Sequence, residues 1–186
     1  MEDSELRALL EVNHTASFGW ALGCCSRDPA EAESVLQAVY LKVLEGRARF
    51  DGRSSFKTWL FAVIRRTAID ERRRSMLRGS RLVKLGQDAL SRAPDESPDQ
   101  AVYRSQLEIL FRHALSALPR RQREVLELVF YHDFTVAGAA EVMGCSLGSA
   151  RTHYERGKRR LSKLIDETGV FDESRLAREE NQTTVS

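Results

Sequence analysis

Apolar residues recur every three or four positions along most of this chain, and no stretch alternates as a half-buried strand requires. The pattern predicts helices. Residues 4–25 carry Leu6, Leu9, Leu10, Phe18 and Leu22 at roughly helical spacing, capped by Asp3 or Ser4 and less regular over 13–19. Asp28 followed by Pro29 is a cap and a first-turn proline; the helix they open bears Ala32, Val35, Leu36, Val39, Tyr40, Val43 and Leu44 on one stripe and closes at Gly46. A polar loop, RARFDGRSS, leads into a helix with Phe56, Trp59, Leu60, Val63 and Ile64 inward and Lys57, Phe61 and Arg65 on its other faces. Over 76–100 the periodicity disappears and Gly79, Gly86, Pro94, Ser97 and Pro98 accumulate, which reads as a flexible linker. Helical register resumes with Leu107, Leu110, Phe111, Ala114, Leu115 and Leu118, and Pro119 opens a further helix with Val125, Leu126, Val129 and Phe130 inward. The expected fold is all-α: two small helical domains, 1–75 and 101–165, each folding by itself, with a frayed polar tail over 166–186.

The most distinctive stretch is FTVAGAAEVMGCSLGSARTHYERGKRRLSK, residues 134–163. Thr135 caps a short helix of small residues, Gly144 supplies the left-handed turn, and Ser146 caps a second helix. Leu147, Ala150, Tyr154, Gly157, Leu161 and Leu164 share one face of that second helix. At about 100° per residue the opposite face carries Ser149, Thr152, Glu155, Arg156, Arg159 and Lys163, with Arg151 and Lys158 at its edge. A helix-turn-helix with a one-sided basic face suits the major groove of DNA, where cations neutralise phosphate and polar side chains read base edges. The plain alternative is a solvated helix of an ordinary bundle.

Charge sharpens the picture. The chain has 186 residues, 30% of them charged, and a formal net charge of only +2. Yet residues 47–84 hold twelve basic against three acidic groups and 119–165 hold nine against five, while both ends are acidic. Two basic blocks divided by an acidic spacer imply two anion-binding surfaces. In the first block, aromatic residues interleave with arginines, an arrangement that suits an unstacked single strand. Aromatic residues at helical spacing are ordinarily core, which is the first reading of Phe56 and Trp59; Phe61 fits either role.

Cys24, Cys25 and Cys145 form neither a metal spacing nor an even disulfide framework, so a reduced cytoplasmic setting is expected. Cys145 and His153 lack further ligands, and Cys145 reads as a buried residue of the turn. No apolar run is long enough for a membrane span, and the acidic start is unlike a signal peptide. The four histidines are scattered, no phosphate loop occurs, and Asp70-Glu71 beside arginines reads as a salt-bridged helix end, so neither catalysis, cofactor nor metal is expected. A free-standing regulator that binds duplex DNA stays open as an alternative, though it leaves the aromatic and arginine-rich helix unexplained.

Two stretches together, FDGRSSFKTWLFAVIRRTAID and LPRRQREVLELVFYHDFTVAGAAEVMGCSLGSARTHYERGKRRL, resemble the second and fourth conserved regions of the extracytoplasmic-function (ECF) sigma factors of bacterial RNA polymerase. The resemblance implies a protein that binds core polymerase, places the C-terminal domain on the −35 element and uses the N-terminal domain to open and read the −10 element. It assigns duplex contact to Ser149, Arg151, Thr152, Glu155, Arg156, Arg159 and Lys163. Contact with the melted −10 strand falls to Arg53, Ser54, Ser55, Lys57, Trp59, Phe61, Arg65 and Arg66, and polymerase binding to Val35, Gln37, Val39 and Lys42. An anti-sigma factor is a further partner that the resemblance implies. Arg66 stands where the family often has Asn, and Gly138 where it often has Glu.

Overall fold

The computed structural model describes residues 3–79 and 111–167, and every regular element among them is helical. The linker expected over 76–100 falls mostly outside the described residues, as does the tail from 168 onward. Four helices come from the N-terminal half: α1 (Asp3–Val12), α2 (His14–Cys24), α3 (Pro29–Leu44) and α4 (Phe56–Gly79). A helical segment over 111–116 leads into α5 (Arg120–His132), α6 (Val136–Met143) and α7 (Leu147–Asp166).

Local chemistry accounts for the boundaries. Asp28 accepts the amide hydrogens of Ala30 at 2.9 Å and Glu31 at 3.1 Å, so the aspartate-proline start of α3 is an N-cap in fact. Ser55 does the same for α4, accepting from the amide of Thr58 at 3.1 Å. The stretch expected as one helix over 4–25 is two, divided at Asn13, whose side-chain amide donates to the Leu9 carbonyl at 2.8 Å and competes with the helical ladder.

In the N-terminal half, α2, α3 and α4 pack on one another around Trp20, Val35, Leu36, Val39, Leu60 and Ile64. In the C-terminal half, α5, α6 and α7 close around Val125, Leu126, Ala139, Val142, Met143, Ala150 and Leu161. Gly157 sets the closest approach there: a Cβ at this position would meet Leu126 Cδ1 at 3.1 Å and the Gln122 carbonyl oxygen at 3.3 Å.

The two halves also pack on each other, α2 against α5 and α4 against α6, so that one apolar core runs through both. This changes several expected faces. Phe61, expected away from the inward stripe, is wholly buried, and Arg65 is 8% exposed, because α4 is covered on two sides. Phe130 is 47% exposed rather than inward; Glu124, Glu127, Leu128 and His132 occupy the second buried face of α5 instead. Leu44 and Leu147, both expected on buried stripes, are exposed at the ends of their faces.

At the centre of the junction the Trp20 indole N–H donates to the Phe61 carbonyl at 3.0 Å, and the two rings lie parallel with centroids 5.8 Å apart. His132, the last residue of α5, meets both rings edge-on at 5.9 and 5.0 Å, and Phe134 lies 5.3 Å from Phe61. Lys57 reaches across to donate to the His132 carbonyl at 2.7 Å, its ammonium 5.1 Å from the Phe134 ring. A cation on the unpaired carbonyls of a helix C-terminus is favoured by the aligned peptide dipoles.

Two predictions follow from this packing. Gly157→Leu drives a side chain into the Leu126–Gln122 contact and lowers stability by about 1–3 kcal/mol, the usual cost of overpacking, measurable as a reduced urea midpoint with an unchanged slope. The second concerns pH. Burial lowers the His132 imidazole from 6.5 to about 4; Lys57 and Arg27 add to the effect and Asp133 opposes it. Between those values the unpacked chain binds more protons than the packed one, so stability is lost as the pH is lowered, at up to about 1.4 kcal/mol per pH unit from this group. Glu127, on the same junction, acts the other way, since burial raises its carboxyl and acid favours its packed form. Thermal unfolding at pH 7 and pH 5 therefore loses less stability in His132→Asn than in the unaltered chain; equal losses would remove His132 as the cause.

Candidate nucleic-acid interface

The helix-turn-helix is built by its caps. Thr135 Oγ1 accepts from the Gly138 amide at 3.1 Å to start α6, Gly144 ends it at φ 61° in the left-handed region, and Ser146 Oγ accepts from the Ser149 amide at 3.2 Å to start α7. Gly138 has a local reason: a Cβ there would come within 3.0 Å of the Phe134 ring, which packs toward the junction. Arg121 donates to the Met143 carbonyl at 3.1 Å and ties the turn to α5. The angle between the two helices of the motif is thus held from three sides.

This frame leaves the polar face of α7 open. Ser149, Arg151, Thr152, Glu155, Arg156, Arg159 and Lys163 are all exposed, while Ala150, Gly157 and Leu161 are buried behind them. A cleft at the mouth of the motif is lined by Thr135, Val136, Leu147, Arg151, Tyr154 and Glu155. Thr152 Oγ1 donates to the Gly148 carbonyl at 2.9 Å, so its hydroxyl presents lone pairs outward. Glu155 lies 3.8 Å from Lys158, not paired with Arg151 or Arg159, and Lys158 in turn sits 5.1 Å over the Tyr154 ring. Arg160, exposed at the edge of the same face about 20° beyond Ser149, is a cation the sequence analysis leaves out; the 100° rotation per residue already places it there. Cys145, expected buried, is only partly so, and among the described residues no group of three or more His, Cys, Asp and Glu is placed to hold a metal.

The second candidate surface is divided. Arg53 and Arg66 are exposed, and Ser54 is partly so. Gly52 turns the loop at φ 74° with open space around it, and Asp51 holds the next residue through the Arg53 amide and a 3.2 Å ion pair with its guanidinium. Ser55 is occupied as the cap of α4, with its hydroxyl 2.7 Å from Thr58 Oγ1. Trp59 is half-buried between Phe50 and Phe56, at 5.5 and 5.3 Å. Lys57, Phe61 and Arg65 are engaged at the junction, so in this arrangement they do not face a strand. Arg65 pairs with Glu124 at 3.1 Å, and Arg120 holds the other carboxylate oxygen at 2.8 Å.

On α3, Val35 and Val39 are 1% and 0% exposed, which makes them core and not contact residues. Lys42 is half-buried and donates to Thr67 Oγ1 at 3.0 Å. Gln37 is exposed, and Leu41 and Leu44 continue it as an exposed stripe at i, i+4 and i+7. Two consecutive thiols close α2: burial pushes Cys24 well up from the ordinary thiol range and Cys25 to about 12. Among the described residues no helix is long and apolar enough to cross a membrane.

Comparison with known proteins matches each half of the chain to a described region. A model described as Sigma-70 region 2 matches residues 9–77, and one described as Sigma-70, region 4 matches residues 108–161. The ECF RNA polymerase sigma factor SigX of Bacillus subtilis (strain 168) is 30% identical over 165 residues, 86% of this chain and 84% of the relative. SigF of Caulobacter vibrioides (strain NA1000 / CB15N), also an ECF RNA polymerase sigma factor, is 31% identical over 158 residues, 85% and 82% of the two chains. Among solved structures, the sigma factor RpoE in complex with the anti-sigma factor NepR from Bartonella quintana has a TM-score of 0.68 at 24% identity, covering 87% of this chain and 97% of that one, a likeness of fold. With a turn motif that leaves its basic face open, an arginine-rich helix ahead of it and relatives that span nearly the whole length, the chain belongs to the ECF sigma factors, which direct RNA polymerase to promoters.

Proposed function

We propose that α7 reads the −35 element and that the loop over 50–55 with the adjoining face of α4 captures the −10 strand, the chain acting by binding rather than catalysis. The observation that carries the first assignment is the unobstructed polar face of α7, framed by two caps and a glycine turn. Arg151, Thr152, Glu155 and Arg156 lie toward the helix start, the part that enters a major groove deepest, and set sequence preference. Arg159, Arg160 and Lys163 follow and hold phosphate, fixing register without reading bases. The stripe of Gln37, Leu41 and Leu44 is the surface offered to polymerase, a helix face suited to a groove or another helix. An anti-sigma partner and a cytoplasmic place of work accompany this reading.

Opening duplex DNA costs about 1.4 kcal/mol per stacked step, and stacking a freed base on an aromatic or guanidinium face recovers roughly 1–3 kcal/mol. Capture of one or two bases therefore offsets the opening of the first steps. Arg53, exposed, and Ser54, partly exposed, are the donors for it, beside a glycine that admits close backbone approach.

Two outcomes test the assignments. Run-off transcription with core polymerase across a panel of −35 variants shows Glu155→Ala relaxing preference at one position by about 1 kcal/mol, since an exposed carboxylate in the groove is useful only where it accepts a hydrogen bond such as that from cytosine N4; a uniform drop across the panel would mean that Glu155 reads no base. Arg53→Ala with Ser54→Ala lowers transcription from a duplex promoter by about tenfold, the effect of roughly one lost stacking-scale contact. The same variant recovers on a template mismatched over the −10 element. Equal loss on both templates would assign these residues to folding or docking.

A further inference from the structure

The cleft at the mouth of the helix-turn-helix has no part in the reading just given, although two residues of that reading, Arg151 and Glu155, stand on its wall. Apart from the capping Thr135, the rest of its lining is apolar. Val136 is the first residue of α6 and Leu147 the first of α7, so each is fixed in place by the capping hydroxyl just before it, Thr135 on one side and Ser146 on the other. Ala137 and the half-buried Tyr154 complete the wall. Leu147 keeps 39% of its surface exposed. A lone exposed leucine is ordinary, but one that adjoins three other apolar residues on a face open to DNA presents an apolar surface to base edges.

We propose that this cleft is a binding site for the C5 methyl group of a pyrimidine, and that 5-methylcytosine, with its amino group on Glu155, is the base it fits. The proposal rests on the assignment of base reading to α7.

The chemistry of the groove selects that base. Cytosine presents an amino group at C4, whereas thymine presents a carbonyl there and a methyl group at C5. 5-Methylcytosine combines the donor of one with the methyl of the other on adjacent ring atoms. A carboxylate on the wall of an apolar cleft is complementary to that pair. Thymine in the same place sets its carbonyl against the Glu155 carboxylate, an acceptor facing an acceptor, and unmodified cytosine leaves the cleft wet. Helical side chains lean toward the N-terminus, which carries the Glu155 carboxylate back toward Arg151 and Leu147 along the cleft. Its contact with Lys158 is an exposed ion pair at 3.8 Å, of a kind worth little and readily exchanged for a base. Arg151, one turn before Glu155, suits the guanine of an adjoining pair.

The full-length chain reconstituted with core polymerase tests the site. Apparent affinities are measured on promoter duplexes in which each cytosine of the −35 element is replaced in turn by 5-methylcytosine, and each thymine by uracil, which lacks the methyl group. At the cytosine where Glu155→Ala relaxes preference, the added methyl tightens binding about fourfold, the effect of taking one methyl group out of water. Uracil for thymine changes affinity by less than about twofold, because the cleft is already assigned. Val136→Thr and Leu147→Gln set polar atoms in the wall and bring the ratio of methylated to plain affinity to about one; Leu147→Met, apolar and of similar volume, keeps the ratio. Absence of any tighter-binding methylated position would overturn the site. An advantage that survives both polar variants overturns it as well, since the methyl group then acts through the shape of the DNA. A loss found only on replacing thymine by uracil gives the cleft to thymine and ends the reading of a modified base. An intact Glu155 effect without a methyl effect removes the methyl site alone, whereas an even drop in Glu155→Ala across the −35 panel removes base reading by Glu155 and the methyl site with it.

Discussion

Two carboxylates kept out of water on one helix set the terms for the rest of the molecule. An ionised carboxylate without partners in an apolar interior costs far more than a domain can spare, so any packing of α5 must bring a cation to Glu124 and another to Glu127. The chain meets this with Arg27 from the turn between α2 and α3 and Arg65 from the middle of α4, assisted by Arg120 one turn away on α5 itself. Because α2 and α4 belong to the other half, satisfying the charges and joining the halves are the same event.

The apolar contacts at the junction follow from that placement. Once Arg65 reaches Glu124, the helix that carries it brings Phe61 beside His132 and Phe134, and brings Lys57 onto the open carbonyl at the end of α5. The interiors on either side differ in character: aliphatic and small residues dominate within each half, whereas the seam between them is aromatic and charged. A seam of this composition tolerates both contact and exposure. The recognition helix takes no part in it and keeps its basic face to solvent, so duplex contact and the folding-together of the chain make no demand on the same side chains.

The start of α3 and most of the helix-turn-helix are legible from sequence because their determinants are local. Asp28 with Pro29, Thr135, Gly144 and Ser146 act within three or four residues of themselves, and one-sided burial of α7 leaves a clean period in which polar positions are exposed ones. The junction was not legible, for a definite reason. The pairs that make it link residues 59 and 100 positions apart in the chain, and a glutamate or arginine at helical spacing looks the same whether water or a distant partner meets it. Helical spacing alone accordingly leaves Phe61 open between core and contact, puts Arg65 on an outer face, and turns Phe130 inward where Glu127 and Leu128 belong. Val35 and Val39 illustrate the opposite error: a resemblance marks a helix as a contact surface without saying which of its faces is outward, and their stripe was the core. The exposed Leu41 and Leu44 become informative only with that face known.

Leu126 and Glu127 are neighbours in α5, yet the first lies against Gly157 of the recognition helix and the second reaches Arg27 of the other half. One peptide bond thus separates the two attachments, and their directions are tied to the winding of a single helix. Substitutions on the exposed side of α5 leave both directions unchanged, whereas a residue inserted between these two would turn one attachment by about 100° relative to the other and break at least one of them. The direction in which one half meets the other is therefore set by a single step along one helix.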